Sequence, residues 1–392
     1  MSTTRELQPL PVPGGVRALD VLPDLDRALR GEGPALLPVP AEEPEQARRT
    51  AAALGAGEPL KPDEDDPDDP TSLVIATSGS TGAPKGVLLG SAALRASAGA
   101  THEHLGGPGH WLLAMPAHHI AGVQVLVRSL LAGTAPHAVD TAGGFRPEAF
   151  AEAAEHTLAA GGPHYTALVP TQLSRLLGEE RGLAALRRFD AVLLGGAATP
   201  PALLRRAREE GVRGVTTYGM SETSGGCVYD GEPLRGVAAS TGGDTGPIAL
   251  SGPVLARGYR GGDGTAFEGG WFRTGDLGRW RDGRLEVLGR ADDVIISGGV
   301  NIAPAPVERV LAEQQGVREV CVLGVEDPEW GEVVVAAVVP DEPPPDAEVL
   351  RAAVRAEAGA TATPRRIAFL DELPLRGPGK PDRRRLRESL QR

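Results

Sequence analysis

The chain has 392 residues, a length that suggests roughly two to three domains with ample apolar content to bury a core. Its net charge of −12 argues against a general nucleic-acid surface, which needs clustered Lys and Arg, although a nucleotide could still bind locally. Cys227 and Cys321 lie far apart and form no CxxC pair, so neither a disulfide framework nor a structural zinc site is indicated.

Residues 1–15 lack a basic segment followed by an apolar one, and no later stretch has the uninterrupted apolar length of a membrane span. The expectation is a soluble protein of the cytoplasm, without stable membrane insertion or nucleic-acid partner, and with assembly into a homo-oligomer left open. Residues 59–70 are rich in Pro and Asp and read as a solvated acidic linker after a short N-terminal region. Beyond it, apolar strand-like runs at 73–77, 111–115, 166–169, 191–194 and 215–218 alternate with helix-like runs at 91–105, 121–131, 147–160 and 200–210. That alternation is the pattern of a parallel sheet with crossover helices. Ser91 reads as the N-cap of the first helix, and two prolines open the last. From 231 to 289 short segments with frequent Gly and Asp suggest antiparallel β structure. A helix at 303–315, strands at 317–325 and 332–339, a helix at 347–358 and a strand at 367–369 then read as a compact α+β unit. The expected fold is α/β. It comprises a large domain of residues 1–291 with mostly parallel sheets and a β-rich subdomain, then a small mobile α+β domain of residues 292–392.

The stretch Thr77-Ser78-Gly79-Ser80-Thr81-Gly82-Ala83-Pro84-Lys85-Gly86 follows the apolar run Leu73-Val74-Ile75-Ala76. Hydroxyls, approachable backbone N–H groups and one mobile positive charge together suit a polyphosphate and point to ATP. It is not a Walker A loop, which needs Gly-Lys-Ser/Thr leading straight into a helix, whereas Pro84 precedes this lysine and Gly86-Val87 follow it. A plain Ser/Gly linker would rarely be flanked by apolar strands on both sides. Two further glycine-rich turns, Gly195-Gly196-Ala197 and Gly219–Ser224, also follow strand ends, where ligands of parallel sheets usually sit.

That loop, together with Tyr218-Gly219-Met220-Ser221-Glu222-Thr223, Trp271-Phe272-Arg273-Thr274-Gly275-Asp276, Gly289-Arg290-Ala291-Asp292-Asp293 and Gly379-Lys380-Pro381-Asp382-Arg383, resembles in order the motifs of adenylate-forming enzymes: acyl-CoA synthetases, adenylation domains and luciferases. The resemblance runs from about residue 72 to the C-terminus; residues 1–70 are shorter than the family's usual N-terminal region. It implies attack of a carboxylate on the α-phosphate of ATP to give an acyl-adenylate, then displacement of AMP by a thiol. By resemblance, Lys380 contacts the carboxylate and the α-phosphate, against the plainer reading of a surface charge in an Arg-rich tail. Glu222 supports Mg²⁺, which prefers few carboxylates plus substrate phosphates, or else is simply favoured at a helix start. Asp276 accepts from the ribose hydroxyls and Arg290 contacts the ribose region; the plainer alternatives are a turn aspartate and an ion pair with Asp292 or Asp293. Thr81 and Thr223 are candidates to donate to phosphates, and Gly195, Gly196 and Ala197 to line the adenine or simply to pack. Asp292 coincides with the family hinge. Gly298 and Gly299 would present backbone to the pantetheine arm of coenzyme A, or form an ordinary turn.

In Pro116-Ala117-His118-His119, adjacent histidines on extended chain should point to opposite sides, which disfavours a shared metal. In the family the position of His119 lies beside the acyl pocket and thiol route; the alternative is a capping or core histidine. The segments from His118 to Leu130 and from Gly225 to Gly231 resemble the o-succinylbenzoate–CoA ligase branch, of menaquinone biosynthesis. Its acid is an aromatic dicarboxylic acid activated only on its 4-oxobutanoate arm. The ring carboxylate would then want a buried donor, with Arg128, Arg95 and His102 as unranked candidates. Other readings are a different aryl or short-acyl CoA ligase, a stand-alone adenylation domain serving a carrier protein and, lastly, a non-catalytic nucleotide sensor.

Overall fold

In a computed structural model describing residues 5–78, 84–262, 265–375 and 381–391, the chain divides into two units. The first holds Met1–Gly195, Ala207–Ala239 and Ala249–Arg273; the second holds Gly196–Arg206, Ser240–Ile248 and Thr274–Arg392. Among the described residues no helix is long and apolar enough to cross a membrane.

The apolar runs of the first unit build a seven-stranded sheet. Five of its strands, Gly214–Met220, Ala191–Leu194, His164–Leu168, His110–Leu113 and His137–Ala138, lie side by side and parallel, with Gly225–Tyr229 and Glu232–Pro233 added antiparallel at one edge. Helices Ser91–His104, Ile120–Ala132, Pro147–Leu158 and Pro201–Glu209 fall where helical runs are expected. Trp111, Tyr165, Leu94, Val125 and Leu126 are fully buried in the core between the helices and this sheet, each large side chain contributing about 1.5–3 kcal/mol by leaving water.

Residues before 71 supply strands Leu7–Val12 and Ala35–Pro40, which run parallel to one another and to Thr71–Ser78 in a five-stranded sheet completed by Pro84–Gly90 and Gly258–Arg260. The acidic run 59–70 departs from the expected solvated linker. Glu64 is only 2 % exposed, accepts from the main-chain N–H of Lys61 and Gly261, and pairs with Arg260 at 2.9 Å. Asp65 accepts from Arg5 at 3.1 Å and from Thr71 N–H at 2.8 Å. Asp69 accepts from Ala92 N–H at 2.9 Å at the start of helix Ser91–His104. Each carboxylate has a partner remote in sequence, which composition alone cannot disclose. The Ser91 expectation falls with it: Gly90 is the N-cap and Asp69 provides the acceptor, while the Ser91 hydroxyl donates to Leu29 O.

In the second unit, strand Gly331–Pro340 pairs antiparallel with Val317–Asp327 and parallel with Arg366–Phe369. Its two-residue alternation explains a continuous apolar run, because both faces are covered. Val334, Ala336 and Val338 meet Val307, Leu311, Leu350 and Val354 of helices Pro304–Ala312 and Ala347–Ala358. Val335, Ala337 and Val339 cluster with Leu386 and Leu390 of helix Arg383–Leu390. The hairpin Trp271–Arg281 to Arg284–Arg290 supplies the expected antiparallel region, and Gly289 comes close to Ala305. The helices expected at 303–315 and 347–358 and the strands expected at 317–325, 332–339 and 367–369 thus form in the expected order.

Candidate functional site

Strands Thr71–Ser78 and Pro84–Gly90 pair antiparallel, setting Thr77 opposite Lys85 and Ser78 opposite Pro84, so the hydroxyl-rich loop joins the two arms of a hairpin. Thr77 Oγ1 donates to Lys85 O at 3.4 Å. The Lys85 ammonium lies 5.2 Å from the centroid of the Tyr259 ring. Gly79, Ser80, Thr81 and Gly82, with the Ser78 side chain, lie outside the described residues, as does Lys380.

Glu222 sits in a short turn after strand Gly214–Met220. Its main-chain oxygen accepts from Ala256 N–H at 2.8 Å, and its Oε1 accepts from the Tyr259 hydroxyl at 2.7 Å. Gly219 permits the turn's close packing, because a Cβ there would lie 2.2 Å from Gly225 O. Tyr218 and Met220 are half-buried on this strand and Ser221 is buried. Thr223 departs from expectation: it is fully buried, its hydroxyl donates to Gly225 O at 2.7 Å and accepts from Met220 N–H, so it closes the turn rather than facing a phosphate. Among the described residues no three His, Cys, Asp or Glu side chains cluster as a metal cage. A lone carboxylate with Oε1 held and Oε2 without a described partner fits Mg²⁺ arriving on a nucleotide, since that ion takes few protein ligands and keeps phosphates and waters. At the end of strand Ala191–Leu194, Gly195 N–H donates to Leu168 O, and a Cβ at Gly195 would lie 2.6 Å from Thr217 Oγ1. Gly196 follows with a φ of +79°, and Ala197 is half-buried.

In the second unit, Asp276 and Arg290 are cross-strand partners. Asp276 is buried; Arg290 Nη1 lies 3.5 Å from its carboxylate and donates to Thr274 O at 3.1 Å, while Nε donates to Asp292 at 3.0 Å. The ribose candidates and the anticipated ion pair therefore coexist around one guanidinium. Burial pushes the Asp292 carboxyl up, but the hydrogen bond and charge of Arg290 outweigh it and hold the group below the usual range. Gly298 and Gly299 have φ of +57° and +81° between strands Ile295–Ser297 and Val300–Ile302. A Cβ on Gly298 would lie 2.7 Å from the Trp330 ring. Arg383 is no loose tail charge: it pairs with Glu308 at 2.7 Å and Asp293 at 3.3 Å and donates to Val322 O.

His118 and His119 do not point apart. Their ring centroids are 4.2 Å from one another, because 116–119 is a turn leading into helix Ile120–Ala132 rather than extended chain. Burial first, then the neighbouring His119, lowers His118 to about 4. His119 stands at the N-cap of that helix and is half-buried.

Burial and hydrogen-bond partners separate the three candidates Arg95, His102 and Arg128. Arg95 is occupied at its helix start, donating to Ser91 Oγ and Leu29 O. His102 accepts from Trp111 Nε1–H at 3.3 Å, and burial, then Arg128, lowers it to about 4. Arg128 is 3 % exposed, rests 4.9 Å from the Trp111 ring and contacts the Tyr229 hydroxyl at 3.4 Å, while its Nε has no hydrogen-bond partner. No described carboxylate pairs with it. One turn back, Gln124 donates to Ser224 O at 2.7 Å and leaves its buried Oε1 unpartnered. Sequence reading passed over Gln124 and Tyr229, although a buried pair at i and i+4 was recoverable from the helical spacing of Gln124 and Arg128.

Residues 18–259 match the family described as AMP-binding enzyme, and residues 306–380 match the AMP-binding enzyme C-terminal domain. The chain is 44 % identical over 384 residues to a probable 2-succinylbenzoate–CoA ligase of Mycobacterium tuberculosis, covering 96 % of this chain and 97 % of that one. It is 34 % identical to a feruloyl-CoA synthase of an Amycolatopsis species, covering 92 % of this chain and 80 % of the relative. Among solved structures it resembles o-succinylbenzoate CoA synthetase of Bacillus subtilis in complex with its acyl-adenylate intermediate, at a TM-score of 0.75 and 25 % identity, over all of this chain and 89 % of that one.

Proposed function

Because the chain belongs to the AMP-binding enzyme family, we propose that it is an ATP-dependent, AMP-forming ligase that converts o-succinylbenzoate to its coenzyme A thioester, a step of menaquinone biosynthesis. A carboxylate oxygen of the succinyl arm attacks the α-phosphorus, the bond to the β-phosphate oxygen breaks and pyrophosphate leaves. The thiolate of coenzyme A then attacks the acyl carbonyl and expels AMP. The first step accumulates charge around the α-phosphate, where preorganised donors and cations act most strongly.

In this reading the 77–82 loop and Lys85 hold the outer phosphates, Asp276 and Arg290 the ribose, and the 195–197 turn the adenine. Lys380 bridges carboxylate and α-phosphate. Mg²⁺ on the nucleotide would neutralise phosphate charge, and Glu222 is the residue that would hold it. His119 borders the acyl group, Asp292 is the hinge, and Gly298 and Gly299 receive the pantetheine arm. We place the enzyme in the cytoplasm, where ATP and coenzyme A are both at hand.

The observation that supports the acid's identity is Arg128, a buried cation without a described carboxylate partner whose Nε is left without a hydrogen bond. Such a charge is strongly disfavoured unless something anionic meets it, and the second carboxylate of o-succinylbenzoate has the required sign and bidentate shape. The feruloyl-CoA synthase relative motivates one competing reading, an aryl acid with a single carboxylate. Specificity constants for o-succinylbenzoate, 4-oxo-4-phenylbutanoate and ferulate separate them, because the second acid differs from the first only by the ring carboxylate. O-succinylbenzoate should win by a factor that can reach about 10⁴ when a buried polar site is otherwise left unpaired. Equal constants for the first two acids refute the assignment.

A further inference from the structure

Glu222 does not find its orientation alone. Strand Gly258–Arg260 runs antiparallel to Pro84–Gly90 with Tyr259 opposite Val87, so the tyrosine is carried past the foot of the phosphate loop. Its hydroxyl donates to Glu222 Oε1 at 2.7 Å, while Lys85 lies over its ring. The strand itself is pinned. Arg257 N–H donates to Leu88 O, Arg257 Nη2 to Asp69 O, Arg260 Nε to Leu54 O, and Arg260 Nη1 pairs with the buried Glu64. Phe267 packs edge-on against the Tyr259 ring at 5.6 Å between centroids. Ala256 N–H holds the main chain of Glu222 from the same segment. A carboxylate bonded this way has one oxygen committed and presents the other, a single-oxygen arrangement suited to an ion that is otherwise coordinated by phosphates and water.

We propose that Tyr259 is a positioning residue that fixes the rotamer of Glu222 and thereby sets the affinity for magnesium-bound ATP. This rests on the reading of Glu222 as the carboxylate that would hold Mg²⁺. Outer hydrogen bonds of this kind typically alter metal affinity by about 10–100-fold.

Tyr259→Phe tests it, since it keeps the ring under Lys85 and removes only the hydroxyl. Isothermal titration of the intact protein with ATP, with and without Mg²⁺, should show metal-free ATP binding within about twofold of wild type and the metal-dependent gain reduced about tenfold or more. The Mg²⁺ concentration for half-maximal ATP–pyrophosphate exchange should rise in parallel, with the rate recovering at saturating Mg²⁺. Glu222→Gln, measured alongside, should abolish the metal-dependent gain. If Glu222→Gln abolishes it and Tyr259→Phe leaves it unchanged, the role of Tyr259 is overturned while Glu222 stands. If neither variant changes it, the reading of Glu222 fails and the proposal with it. A Tyr259→Phe protein that loses metal-free and metal-dependent ATP binding equally shows a structural role only, and also overturns the proposal.

Discussion

Replacing Arg128 by methionine should move stability and catalysis in opposite directions. The wild-type guanidinium is buried, and burial lowers its pKa against a small opposing effect of Tyr229. Its visible compensation is one long hydrogen bond to Tyr229 and the contact with Trp111. Those are worth about 1 and about 2 kcal/mol respectively. Desolvating an ion without a counter-charge costs several kcal/mol, so a methionine of similar length should stabilise the ligand-free protein by about 1–2 kcal/mol net. At about 2 °C per kcal/mol for a unit of about 250 residues, the melting temperature should rise by about 2–4 °C. The acid should bind worse, because a charge-assisted hydrogen bond to a carboxylate contributes about 1.5–3 kcal/mol. That corresponds to a loss of about 10- to 150-fold in kcat/KM for o-succinylbenzoate. Differential scanning fluorimetry and steady-state kinetics on both o-succinylbenzoate and 4-oxo-4-phenylbutanoate supply the check, since the monoacid should be nearly indifferent to the substitution. A melting temperature that falls by several degrees, with kcat/KM dropping equally for both acids, would refute the reasoning and make Arg128 a structural residue.

The remaining expectations concern the scaffold and the chemical step. Glu64→Gln leaves Arg260 buried without its anion and should destabilise by about 3–5 kcal/mol in denaturant melts; a change below the error of the melt contradicts the anchoring of residues 59–70 through Glu64 and Arg260. His102 and His118 are held near 4 in the fold, whereas unfolded histidines titrate near about 6.5. Between those values the unfolded chain binds protons that the native one refuses, so stability is undiminished above about pH 6.5 and falls as the pH drops toward 4. Melts across that window should show a shallower decline for His102→Gln, and an unchanged slope would exclude His102 from the effect. Lys380→Ala should suppress adenylate formation by about 2.7–4 kcal/mol while sparing thioester formation from supplied acyl-adenylate; equal losses in the two half-reactions argue against its bridging role. Asp292→Pro should retain adenylation and lose transfer to coenzyme A, because a ring-fixed φ cannot follow a hinge rotation, and stopped-flow measurement of each half-reaction reads this directly once a melt has shown that the variant folds.

Periodicity and local chemistry made much of this protein legible from its residues alone. Strand Ala191–Leu194 and helix Ala347–Ala358 form over the residues expected of them, because an apolar run of four and an acid-capped amphipathic dozen each carry their own signal. Ordered glycine-rich motifs likewise pointed to ATP, since a loop that must approach phosphates closely can use few residue types. What depended on partners distant in the chain was not legible. The carboxylates of 59–70 look like a solvated linker until Arg5, Arg257 and Arg260 arrive from elsewhere, some nearly two hundred residues away. Thr223 resembles a phosphate donor until Gly225 O takes its hydroxyl, and His118 and His119 look divergent until the chain turns beneath them. Arg128, Arg95 and His102 were equivalent as letters. Only packing separated them, because the energy of a charge is set by the dielectric and counter-charges around it, and these come from helices and strands that the fold alone brings together.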